Sequence, residues 1–454
     1  MAKFKITMQA PDGSEPVLLY DNLTSALTWE DGRPVAPVQP RQYGDATVVS
    51  VDQPGRKGGT EGVIKTLKVS LGLSCNYECN YCSQRFVPHA ESSNPGDIEP
   101  FVAQLTGALT QAPQRIEFWG GEPFVYWKTL KPLAERLRLL YPEADFNIIT
   151  NGSLLDAEKN QWLDDLGFGV GISHDGPGYH ARGADPLDDP EKRAAIMDLY
   201  DRLQPKGRIS INAMMHKDNP SRAAVQTWLQ ERFGQDVQIG EGAFIDPYDE
   251  GGMAATLKTQ AEQIGYRVMA FDELRTGQVA RFDISRQKIK GFVDSVRHAR
   301  PASALGQKCG MDKTDNMAVD LHGHVLTCQN VSAASTGPNG QSHLIGKLDD
   351  LAGVKMKTST HWSQRSECTS CPVLQLCQGS CMFLHGPLWD AGCDASYSDN
   401  IPFFAAGLEY MTGCKPVHIE GEFRESRKDI FGLVNGIPSE PAKKRVIPIG
   451  VVHA

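Results

Sequence analysis

The sequence predicts an α/β fold: a partial (β/α)6 barrel, with a small β-rich N-terminal extension before it and a cysteine-rich domain after it. Two observations predict it. From residue 63, short apolar strand patterns alternate with helical ones, which implies parallel strands joined by right-handed crossovers. Apart from Cys414, the eleven cysteines gather in two blocks, one inside the alternating region and one beyond it.

Taken in order, residues 1–62 hold strand-like runs at 3–8, 17–20 and 47–51, with Asp12-Gly13 and Asp31-Gly32 as turns. No run there is long enough for a recognition helix, so an edge hairpin covering the barrel is expected. Residues 63–250 form the barrel, with strands at 64–71, 115–119, 146–150, 168–173, 207–214 and 237–245. Helices are expected at 97–109, 128–140, 157–166, 190–203 and 220–233. Residues 251–300 read as a helical bridge, with helices at 253–264 and 281–297, and residues 301–398 hold the second cysteine block. The segment 399–454 adds a helix at 403–411 and a tail whose run 443–452 reads as an edge strand with a basic flank.

Composition excludes several classes. The net charge, 46 − 55 = −9, provides no global basic field for nucleic acid. The start, Met1-Ala2-Lys3-Phe4-Lys5-Ile6, lacks the apolar core of a signal peptide. No apolar run approaches the roughly 20 residues of a membrane span. A cytoplasmic protein with no membrane partner is expected, and its cysteines point to metal ligation rather than disulfides.

The first block is Cys75, Cys79 and Cys82, spaced CxxxCxxC on a loop after strand 64–71. Three thiolates can hold an iron–sulfur cube and leave one iron open for chemistry. The alternative is a closed zinc site, for which His89 is the nearby fourth ligand. Next, Ile116-Glu117-Phe118-Trp119 ends in Gly120-Gly121-Glu122-Pro123, where glycines allow close backbone approach and a glutamate can accept from an amine. Asn147-Ile148-Ile149-Thr150-Asn151-Gly152 and Val170-Gly171-Ile172-Ser173-His174-Asp175-Gly176-Pro177 follow at the ends of later strands.

In order and spacing, these four motifs resemble the radical S-adenosylmethionine (radical SAM) superfamily. The second block resembles its SPASM extension, an iron–sulfur domain with two auxiliary 4Fe–4S clusters. It comprises Cys309, Gly323, Cys328, then Cys368, Cys371, Cys377 and Cys381 spaced CxxCxxxxxCxxxC, and Cys393. The resemblance implies that Cys309, Cys328 and Cys381 hold the nearer auxiliary cluster, and Cys368, Cys371, Cys377 and Cys393 the farther one. Asp315 stands where the family often has a further cysteine. It is a ligand, or an ordinary loop carboxylate beside an open iron. Cys414 is either a substitute for Cys393 or a buried or free thiol.

For S-adenosylmethionine, the resemblance implies that Glu122, with the Gly120 and Gly121 backbone, binds the amino group. It assigns Arg182 to the carboxylate, Ser173 to the carboxylate or ribose, Asn151 to the ribose and Tyr81 to the adenine. His174 replaces an apolar residue of the family and is either substrate-facing or structural. The implied activity is reductive cleavage of S-adenosylmethionine to a 5′-deoxyadenosyl radical. The expected substrate is a ribosomally made peptide, either crosslinked through a thioether, C–C or C–O bond or epimerised. A flavodoxin- or ferredoxin-type protein is the expected electron donor. The alternatives are formylglycine formation of the anaerobic sulfatase-maturing type and radical modification of a small molecule. Sulfatase-maturing enzymes usually place an aspartate base after the cysteine matching Cys328, where this chain has Gln329. A plain iron–sulfur electron carrier would leave Gly120-Gly121-Glu122-Pro123 without a purpose.

Overall fold

A computed structural model of the chain describes residues 3–437, apart from 51, 59–61, 280 and 357–358. The run 443–452 lies outside the described residues. The chain opens with antiparallel strands β1 (Phe4–Gln9), β2 (Val17–Asp21) and β3 (Ala26–Trp29). Six parallel strands follow: β4 (Thr66–Ser70), β5 (Arg115–Trp119), β6 (Asp145–Thr150), β7 (Gly169–Ser173), β8 (Ile209–Asn212) and β9 (Ile239–Glu241). Between them run α1 (Ile98–Ala108), α2 (Trp127–Leu140), α3 (Ala157–Asp165), α4 (Pro190–Leu203) and α5 (Arg222–Phe233).

Local chemistry sets these boundaries. Asp156 caps α3 by accepting from Lys159 N at 2.9 Å. Asp189 caps α4, whose first residue is Pro190, and Ser221 caps α5. Gly234 ends α5 with φ +66°, a conformation glycine adopts without strain. Leu67, Val69, Ile116, Phe118, Phe146, Ile148, Val170 and Ile172 are buried in one core with Leu105, Leu130, Leu133, Leu163 and Leu199 of the helices. Each such side chain contributes roughly 1.5–3 kcal/mol by leaving water.

The sheet does not stop at β4. Strand β10 (Asn316–Asp320) pairs parallel to it, Met317 opposite Leu67, and β11 (His324–Leu326) and β12 (Leu344–Lys347) continue antiparallel. The order is β9-β8-β7-β6-β5-β4-β10-β11-β12, an open sheet; among the described residues no pairing joins β9 to β12. The second cysteine region is therefore continuous with the parallel sheet. The sequence pattern did not anticipate this.

Two long helices, α6 (Gln260–Arg275) and α7 (Asp283–Arg297), form the bridge, the first lying further along the chain than expected. A third, α8 (Gly386–Thr412), starts well before the expected 403–411 helix and carries Cys393. The expected edge hairpin is not what β1–β3 make. They form a four-stranded antiparallel sheet with β13 (Lys415–Glu420), in the order β13-β1-β2-β3. Its apolar face, Phe4, Ile6, Met8, Leu18 and Tyr20, packs on Phe292 of α7 and Phe404 and Leu408 of α8. Residues 47–50 carry no strand. No described helix is long and apolar enough to cross a membrane.

Candidate active site

The carboxyl ends of β4–β9 open onto a cavity of about 1110 Å³. Cys75, Cys79 and Cys82 line it, together with Tyr81, Gly120, Gly121, Glu122, Asn151, Ser173 and Arg182. All ten residues expected around S-adenosylmethionine and its cluster thus face one space. His89 lines it too, and so does Cys309 of the second block.

The cysteine loop is pinned against the Gly-Gly-Glu-Pro turn. Gly121 N donates to Gly72 O and Glu122 N to Ser74 O, each at 3.0 Å. A Cβ on Gly121 would stand 2.4 Å from the carbonyl oxygens of Leu73 and Ser74, so only glycine lets the two backbones meet. Ser74 N in turn donates to Tyr126 Oη at 2.8 Å.

Glu122 is 1% exposed. Its Oε1 accepts from Phe124 N at 3.1 Å and Thr150 Oγ1 at 2.8 Å, and its Oε2 from Asn151 N at 2.7 Å. Burial raises its pKa, and the three hydrogen bonds oppose that rise. The carboxylate therefore staples β5 to β6 as well as facing the cavity. Asn151 is likewise engaged: Nδ2 donates to Asn76 Oδ1 at 2.9 Å, while Oδ1 accepts from Ser153 Oγ at 2.6 Å. This binds the cysteine loop to the end of β6.

Arg182 Nη1 donates to Tyr81 Oη at 3.1 Å and lies 3.5 Å from Asp175 Oδ1, while Tyr81 Oη donates to Asp175 Oδ2. Tyr81 thus holds Arg182 at the cavity wall, and its ring tilts against His216 at 5.7 Å. His174 is a satisfied structural residue. Its Nδ1 accepts from Gly176 N at 3.0 Å, so Nε2 carries the proton and donates to Asp185 Oδ1 at 3.0 Å. Its ring stacks on Trp228, and it is 3% exposed.

The second block divides in two. Cys368, Cys371, Cys377 and Cys393 line one small cavity closed by Trp389, Tyr397 and Arg427. Arg427 Nη2 donates to Cys393 Sγ at 3.3 Å. Cys414 sits elsewhere, in the core beneath the four-stranded sheet, its thiol donating to Thr412 O at 3.6 Å. Cys328 and Cys381 pack on a separate apolar cluster with Met311, Leu326, Met382 and Phe383. Asp315 pairs with Lys65 at 3.0 Å, and its carbonyl accepts from Lys65 N and Thr66 N at the start of β4. A second carboxylate, Asp312, is 3% exposed; its Oδ2 accepts from Gln307 N at 2.8 Å, and its Oδ1 has no partner among the described residues.

Donor chemistry fits metal-bound thiolates. Burial pushes the thiols of Cys79 and Cys328 up to about 11 and that of Cys371 to about 12, and it raises Cys75 and Cys309 as well. Buried thiols of this kind become thiolates when a cation supplies the compensating charge.

Several lining residues were not singled out from the sequence: Trp119, Met214, Asp246, Tyr248, Lys308 and Asn330. Asp246 and Tyr248 follow β9, and the rule that strand ends face the site was the signal that could have found them. The two cysteine regions also touch directly, since Gln84 Nε2 donates to Asn330 Oδ1 at 3.4 Å and Ser332 Oγ to Pro88 O.

A parallel sheet, a three-thiol loop after its first parallel strand and the Gly-Gly-Glu-Pro turn packed on that loop belong to a chain that is similar to proteins named as radical SAM enzymes. No protein-family model matches it. It is 21% identical to the radical SAM cyclopropyl synthase TigE of Paramaledivibacter caminithermalis over 364 residues, 70% of this chain and 68% of that one. It is 23% identical to a serine-type anaerobic sulfatase-maturating enzyme of Klebsiella aerogenes over 343 residues, 68% of this chain and 78% of the relative. Its fold matches the structure of native anSMEcpe with bound AdoMet at a TM-score of 0.53 and 18% identity, covering 77% of this chain and 98% of that one. The same enzyme with AdoMet and the Kp18Cys peptide matches at 0.52 and 17% identity, covering 75% and 99%.

Proposed function

We propose that this chain is a radical SAM/SPASM enzyme that modifies a ribosomally made peptide. The observation that carries the reading is the shared cavity: three thiols, a buried carboxylate and a fixed guanidinium face one space, with a thiol of the second cysteine block on its wall. Cys75, Cys79 and Cys82 hold the catalytic 4Fe–4S cluster. A cluster held there would, with bound S-adenosylmethionine and one electron from the donor, supply radical chemistry at an unactivated C–H bond; the three cysteines would hold it and the walls would exclude water. Glu122 offers its remaining acceptor capacity to the methionine ammonium group, and Arg182, held by Tyr81 and Asp175, faces the methionine carboxylate. Ser173 and the Gly120–Gly121 backbone complete that wall. Asn151 acts by fixing the cysteine loop. Cys368, Cys371, Cys377 and Cys393 hold one auxiliary cluster, and Cys309, Cys328 and Cys381 the other, with a flavodoxin- or ferredoxin-type donor as the electron source.

A peptide suits the cavity's size, and its wall includes Phe86, 70% exposed beneath the Arg85 guanidinium. The relatives' names point to peptide and protein substrates as well. A second reading, formylglycine formation, is favoured by the sulfatase-maturating relatives. Against it stands Gln329, a neutral amide whose Oε1 accepts from the Cys328 thiol at 3.6 Å. The test is to incubate the anaerobically reconstituted protein with S-adenosylmethionine and a reductant. The wild type should form 5′-deoxyadenosine, and the variant with Cys75, Cys79 and Cys82 all changed to Ala should form none. A wild type that forms none sinks the proposal.

A further inference from the structure

The segment after β9 runs along the cavity wall and is fastened to the turn that separates the two auxiliary sites. That turn, Cys377-Gln378-Gly379-Ser380-Cys381, sends its first cysteine to the four-thiol cavity and its last to the apolar cluster it shares with Cys328, near enough to Cys309 for their charges to interact. Gln378 and Ser380 take φ +50° and +52°, on either side of Gly379 at +80°. Left-handed backbone at non-glycine residues costs free energy and persists only where neighbours fix it. The fixing contacts come from the cavity wall and from α8. Ser380 Oγ donates to Asp246 Oδ1 and accepts from Ser396 Oγ at 2.9 Å. Tyr248 Oη donates to Cys381 Sγ at 3.0 Å. Asp246 and Tyr248 both line the large cavity, and Tyr248 is 37% exposed there.

We propose that Tyr248 is a positioning residue that joins the cavity wall to the nearer auxiliary site and tunes that site through its O–H···S bond to Cys381. This rests on the reading above, in which Cys381 is a cluster ligand. A hydrogen bond to a ligating sulfur stabilises the more negative, reduced form of an iron–sulfur centre and so raises its potential. The phenol is the donor because a tyrosine hydroxyl keeps its proton at neutral pH. No other side chain among the described residues bonds to the Cys381 sulfur.

Tyr248→Phe removes the hydroxyl and keeps the ring. The experiment is an EPR-monitored redox titration of the full chain, anaerobically reconstituted, alongside iron and sulfide analysis. The expected result is unchanged iron content, one auxiliary signal moved to a more negative potential, and the other two unmoved. Unchanged potentials at full iron content overturn the proposal. Loss of one cluster's iron overturns it as well, because Tyr248 would then serve assembly rather than tuning. A wild type holding iron for one cluster only overturns the auxiliary-cluster reading itself, and iron analysis recognises this before any variant is made.

Discussion

Replacing Glu122 by Gln separates ligand binding from architecture at a residue placed to serve both. The carboxylate has about four acceptor positions, and three are filled by Phe124 N, Thr150 Oγ1 and Asn151 N, leaving one for a ligand ammonium. The amide keeps one oxygen. Turned toward the two donors at Oε1, it presents its NH₂ to Asn151 N, and one buried donor loses its partner at a cost of about 1–3 kcal/mol of stability. Losing the charge removes a charge-assisted bond to the methionine ammonium, worth about 1.5–3 kcal/mol, or roughly tenfold to hundredfold in Kd. Equilibrium dialysis of S-adenosylmethionine against the anaerobic, cluster-loaded variant reads the second effect, and denaturant unfolding reads the first. A Kd within about twofold of wild type, with the lower stability present, would refute a ligand role and leave Glu122 as a staple between β5 and β6.

Other predictions follow from the cysteine regions. Cys393→Ala should lose one cluster's iron, whereas Cys414→Ser should keep full iron content, because Cys393 shares a cavity with three thiols and Cys414 packs in an apolar core. Asp315→Ala should leave the auxiliary spectra unchanged, since its carboxylate is paired with Lys65, while Asp312→Ala, which removes a buried carboxylate with one unpartnered oxygen, should alter them. Burial lowers the pKa of His343 from 6.5 to about 4, where it is bonded to Thr327 Oγ1. The unfolded chain therefore binds more protons between those values, so stability should fall by about 3 kcal/mol as pH drops from 6.5 toward 4. The denaturant midpoint of His343→Gln should flatten in that window.

The parallel strands were legible because each is a short apolar run bounded by turn residues, and its partners are the neighbouring runs in sequence. What escaped depends on distant partners. Strand β10 pairs with β4 across some 250 residues of chain, and β1 pairs with β13 across more than 400, Ile6 opposite Ile419. Helix α8 was read short because it is buried nearly all round and carries no amphipathic period before Phe403. Its polar stretch includes Asp399, which is satisfied by Arg222, by Tyr266 at 2.7 Å and by Lys288 at 2.9 Å. These partners sit on α5, α6 and α7, so no local pattern could announce them. In the candidate site, the residues of named motifs were legible. Tyr248 and Asp246 were not, because their roles depend on Cys381 and Ser380, more than 130 residues away.

Cys75, Cys79 and Cys82 are proposed to hold a cluster with one iron free for S-adenosylmethionine. Low-temperature EPR of the reduced, anaerobically reconstituted protein, recorded with and without S-adenosylmethionine, tests it most directly. One cluster signal should change on addition, and both this signal and its response should vanish when Cys75, Cys79 and Cys82 are replaced, while the remaining signals persist. A spectrum indifferent to S-adenosylmethionine, or stoichiometric zinc in place of iron at that loop, would contradict it.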